Sequence, residues 1–81
     1  MPKVTKSSPY WEALLELINA ITRSVPLSME NQALIVYRLD TEEKIEAFFQ
    51  WIESRLVGDD KVQATEEEIV RAAVHAHKGI L

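Results

Sequence analysis

Apolar side chains in this chain recur at three- and four-residue steps, and each run of them follows a residue that starts helices. At about 100° per residue, such steps line up on one face of an α-helix, so this pattern constrains the fold more than any other feature. Ser8 precedes Pro9, a hydroxyl cap ahead of a proline whose missing N–H costs nothing at the first helical position. Behind them Trp11, Leu14, Leu15, Ile18, Ile21 and Val25 share a stripe, and Pro26 stops the helix near Ser24. Asp40-Thr41-Glu42-Glu43 reads as a second start of this kind, with Asp40 as cap, Glu43 reaching back, and Ile45, Phe48, Phe49, Ile52 and Leu56 as the stripe. Gly58 is expected to close that helix in the left-handed conformation, with Asp59-Asp60-Lys61 following as a solvated loop. Thr65-Glu66-Glu67-Glu68 repeats the starting signature for a last helix striped by Ile69, Ala72, Ala73, Ala76 and Ile80 and ended by Gly79.

Residues 27–39 are ambiguous by pattern, because Ala33-Leu34-Ile35-Val36-Tyr37 is continuously apolar and fits a buried helix or a strand. Ser28 as cap and Met29-Glu30-Asn31-Gln32 as a first turn favour the helix. A strand would need a second chain, or the Lys61 to Ala64 segment, beside it. The expected fold is therefore all-α: one domain over residues 1–81, a small helical bundle of three long helices plus one shorter helix, with residues 1–7 as a flexible tail. Two glycines and three prolines are too few for a sheet protein with frequent tight turns, which points the same way.

A chain of 81 residues buries only about 60 to 65% of its unfolded surface, so a second copy that adds burial is a natural expectation. Without cysteine there is no disulfide framework and no thiolate chemistry. The first residues lack the uninterrupted apolar segment of a secretion signal, and the longest apolar run, Ala33 to Tyr37, is far too short to span a membrane. The reading is a cytoplasmic protein with no membrane partner. Net charge is −4, with four basic and four acidic residues in positions 1–40 but five basic and nine acidic in positions 41–81. That balance argues against nucleic acid, whose binding is driven by clustered Lys and Arg.

Chemistry-bearing constellations are weak throughout. His75 and His77 stand two apart, so on a helix their rings point about 200° away from each other and cannot share a metal. The Asp59-to-Val70 stretch resembles a calcium loop only superficially, since Ala64 occupies the glycine position and Val70 that of the bidentate glutamate. Glu12 with Glu16, and Glu42 with Glu46, pair one turn apart but on polar faces, where general acid and base work has no dry cleft. No enzyme activity, cofactor or metal site is expected.

The informative residues are apolar ones that miss their stripes. Trp51 lies at the margin of its helix's core face beside Arg55, and Val70, Val74 and His77 form a second stripe about 100° from that of Ile69. Trp51, Arg55, Val70, Val74 and His77 together make the candidate interaction surface, and the favoured function is a non-enzymatic protein-interaction or regulatory module acting as a homodimer. Two alternatives stand beside it. One is a small-molecule-binding helical bundle with Trp11, Tyr37, Phe48, Phe49 and Trp51 around a pocket, and the other a DNA-associated regulator that would bring Arg23, Arg38 and Arg55 onto one face.

Overall fold

The computed structural model describes residues 8–58 and 61–76. They form four helices and a small hairpin: α1 Pro9–Ser24, α2 Met29–Arg38, α3 Glu42–Ser54, β1 Leu56–Val57, β2 Lys61–Val62 and α4 Glu66–His75. The helical bundle is thus present, but its lengths divide two and two, with 16 and 13 residues in α1 and α3 and ten each in α2 and α4. The ambiguous middle segment is helical, as its cap implied.

Each helix starts where a side-chain oxygen satisfies an otherwise unpaired backbone donor. Ser8 Oγ accepts from Tyr10 N at 3.1 Å with Pro9 in the first turn, and Ser28 Oγ accepts from Asn31 N at 3.1 Å. Thr65 and Glu68 form the full reciprocal box, at 3.1 and 2.9 Å. At α3 the cap is Thr41, which accepts from Lys44 N at 3.3 Å, whereas Asp40 was expected in that role. Asp40 instead pairs with the Lys44 ammonium at 2.8 Å, so its carboxylate is drawn along the helix side.

The apolar stripes meet in one core. Leu14, Ile18 and Ile21 from α1, Ile35 from α2, Ile45, Phe48 and Ile52 from α3, and Ile69, Ala72 and Ala73 from α4 are buried, with Leu27, Leu39, Val62 and Ala76 closing the ends. α1 packs on α2 and α3, and α4 packs on the same two helices from the other side. Tyr10 Oη donates to Glu46 Oε1 at 2.6 Å near the start of α1, and Val62 N donates to Ser24 Oγ at 2.9 Å at its end. α1 and α3 therefore run the same way. Among the described residues no polar side chain is buried, so the core is held by apolar packing alone.

The hairpin departs from the sequence expectation. α3 stops at Ser54, and Leu56, assigned above to its stripe, is an exposed strand residue opposite Val62. Lys61, expected in a loop, begins β2, while Asp59 and Asp60 lie outside the described residues. Gly58 does adopt the left-handed conformation, at φ 71°, but in the turn between strands rather than at a helix end. Two strands this short are not stable by themselves. The burial of Val62, its bond to Ser24 and a 2.7 Å bond from Gln63 N to Arg55 O fix them to the bundle.

Phe48 is the largest fully buried side chain, and truncating it leaves a void that four short helices can close only in part. Phe48→Ala is expected to cost about 3 to 5 kcal/mol, most of the stability available to a domain of this size. Urea unfolding followed by circular dichroism should accordingly lose its native baseline.

Candidate interaction surface

The outer face of α2 is built by what the inner face can bury. Ile35 alone of its side chains is fully buried, with Asn31, Gln32 and Val36 half-buried around it. The remaining positions, Met29, Glu30, Ala33, Leu34, Tyr37 and Arg38, are all exposed. At four-residue spacing they form two parallel ribs, Met29-Ala33-Tyr37 and Glu30-Leu34-Arg38. Met29 is 79% and Tyr37 75% exposed, the highest values for large apolar side chains among the described residues. Across the gap to α1, Leu15 is 39% exposed and joins Met29, Ala33 and Val36 around a shallow hollow of about 370 Å³.

α2 is held in this orientation at its first turn. Glu66 Oε2, in the first turn of α4, accepts from Ser28 N at 2.8 Å and from Asn31 Nδ2 at 2.6 Å. These two bonds hold the Glu66 carboxyl below its ordinary pKa, the backbone N–H of Ser28 contributing most. Gln32 Nε2 adds a 2.9 Å bond to Leu27 O, fixing the loop ahead of the helix. Starting side by side and packed together, α2 and α4 share a direction.

The residues singled out from the sequence fall into two groups. Trp51 and Arg55 come together, the guanidinium 5.0 Å from the ring centroid, with Trp51 half-buried against the core. Val70 and Val74 come together on the flank of α4 next to α2, lining a hollow with Asn31, Glu67, Arg71 and His75. Arg55 lies on the other flank of α4, where its charge helps hold Glu68 below the ordinary carboxylate pKa, after the larger effect of the Thr65 N–H. Glu68 and Val70 are about 200° apart around a helix, so α4 separates the two groups. His77 lies outside the described residues, as do Gly79 and Ile80.

The exposed ribs of α2 were missed because the Ala33 to Tyr37 run is apolar on every side, and pattern alone cannot say which side turns to the core. The available signal was the four-residue repeat of exposed types, with Glu30 and Arg38 flanking the run.

Another concavity lies between α1, α3 and the hairpin. It is an open cleft of about 850 Å³ with Leu17, Phe49, Ile52 and Val62 in its walls and Arg23, Glu53 and Lys61 on its lining. Of the aromatic set expected around a pocket, only Phe49 lines it; Phe48 is sealed in the core, Tyr37 stands in water and Trp51 stacks on Arg55. The three arginines do not converge either: Arg23 lines this cleft, Arg55 a separate hollow beside Leu56 and Gln63, and Arg38 ends α2. Glu12, Glu16, Glu42 and Glu46 are exposed, and among the described residues no group of three His, Asp or Glu is placed to hold a metal ion. No described helix is long and apolar enough to cross a membrane. No family model, curated protein or solved structure matches the chain.

The Glu66 junction has a consequence in acid. A carboxyl with a lowered folded pKa contributes stability that is fully present above its ordinary value of 4.5 and disappears as pH falls through the folded value. Glu68 behaves in the same way. Glu66→Gln is expected to lower stability at neutral pH and to flatten, without abolishing, the decline below pH 4.5, measured by urea midpoints across a pH series.

Proposed function

We propose that the chain is a non-enzymatic protein-interaction module that acts as a homo-oligomer, with the outer face of α2 as its contact surface. The observation that carries this reading is the placement of Met29 and Tyr37, largely in water on one helix, with Leu34 and Leu15 beside them. Burying a large apolar side chain is worth about 1.5 to 3 kcal/mol, so a partner covering these four would gain substantially. A domain this small has the most to gain from such added burial. Val70 and Val74 form the natural margin of the surface on the α4 side, through the hollow they share with Asn31. Trp51 and Arg55 lie too far round to belong to it. The net charge of −4 disfavours nucleic acid as a partner, and the absence of cysteine suits the reducing cytoplasm.

Light scattering coupled to size-exclusion chromatography tests the reading over a concentration series up to the high micromolar range. The expected result is a mass that rises towards twice that of the 9.3 kDa chain, and Tyr37→Lys should return it to that of one chain. A strict monomer throughout the series would remove the basis of the proposal.

The cleft beside the hairpin supports a second reading, small-molecule binding. Its volume falls in the usual range for ligand sites, its walls are apolar, and Arg23 and Lys61 have no ion-pair partner among the described residues. An amphiphile with an anionic head fits that chemistry, although Glu53 offsets one of the two cations. Decanoate is the probe: calorimetric titration should detect binding that Phe49→Glu abolishes, and no heat with the unaltered chain would dispose of this reading.

A further inference from the structure

We infer that the outer face of α2 pairs with the same face of a second copy, the two helices running antiparallel about a two-fold axis between Ala33 and Leu34. The inference rests on the self-association reading and says how the copies meet.

The two ribs of α2 carry the argument. One reads large, small, large, through Met29, Ala33 and Tyr37; the other reads acid, apolar, base, through Glu30, Leu34 and Arg38. All six side chains are exposed, and neither Glu30 nor Arg38 has an ion-pair partner among the described residues. A two-fold axis perpendicular to both helices keeps each rib opposite its own copy but reverses its order. Met29 then meets the partner's Tyr37, and Glu30 meets the partner's Arg38, at both ends of the contact. Ala33 falls on the partner's Ala33, where its small side chain lets the backbones approach.

Parallel pairing of the same face, about a two-fold axis along the helices, sets each rib against the other one and brings Glu30 level with the partner's Glu30 and Arg38 level with the partner's Arg38. Like charges at both ends oppose it, and aligned helix dipoles add to the repulsion. The charge pattern is therefore complementary to itself in one orientation only, which selects a second copy over an unrelated partner. The apolar rib supplies affinity, while the rim charges fix register and direction.

Sedimentation equilibrium on three variants tests this. Glu30→Arg and Arg38→Glu each place like charges at both ends and are expected to raise the dissociation constant by about tenfold or more. The double variant restores opposite charges with reversed polarity and should return to within about threefold of the unaltered chain. Far-UV circular dichroism establishes that all three keep their helices. An independent readout uses Ala33→Cys in a chain with no other cysteine, which should form a covalent dimer on oxidation far faster than Gln50→Cys, at an exposed position of α3. If the chain dimerises but the single charge changes leave the dissociation constant unmoved, or Ala33→Cys crosslinks no faster than Gln50→Cys, this pairing is overturned while self-association stands. A chain that never dimerises removes both.

Discussion

The carboxylate of Glu66 joins the first turns of two helices, and the exposed surface of the molecule follows from that junction. By accepting from Ser28 N and Asn31 Nδ2 it lays the start of α2 against the start of α4, so that Ile35 turns inward and the opposite side of α2 faces water. α2 has one fully buried side chain against three in each of the other helices, so most of its surface is half-buried or exposed. Carrying Met29, Leu34 and Tyr37 outward, it leaves apolar surface in water among the described residues. The same junction brings Val70 and Val74 alongside, extending that surface onto α4.

Much of the fold was legible in the sequence because helix starts are local chemistry. Ser8 with Pro9, Ser28, and Thr65 with Glu68 all cap as their positions implied. Of the stripes that the spacing picked out, Leu14, Ile18 and Ile21 in α1 and Ile69, Ala72 and Ala73 in α4 are buried, whereas Leu15 stays exposed towards the gap beside α2. Asp40 yielded to Thr41 because both residues are competent caps one position apart, and the nearby Lys44 ammonium gave the carboxylate another partner. The hairpin was not legible, because strands of two residues leave no alternation to detect. Leu56 continues the helical spacing of α3 even though the chain has already turned at Arg55.

The sequence did not show which apolar side chains stay exposed. The excess of apolar residues was plain, and Trp51 does lie at the core margin beside Arg55, but half-buried there, while Tyr37 is left in water. Local spacing cannot make that distinction, since burial of a ring at the edge of a stripe depends on which element arrives from elsewhere in the chain. Trp51 has a cation one turn on to stack against; Tyr37, on the far side of α2 from the core, has no such cover.

The most direct measurement of the central claim is an isotope-filtered nuclear Overhauser experiment on a mixture of labelled and unlabelled chains. Within one helix Met29 and Tyr37 are eight residues apart, about 12 Å along the axis, too far for a methyl-to-ring signal. A cross-peak between the Met29 methyl of one chain and the Tyr37 ring of another is the result this account requires. Intermolecular signals that avoid α2 and arise instead from Trp51 or from the hairpin would contradict it.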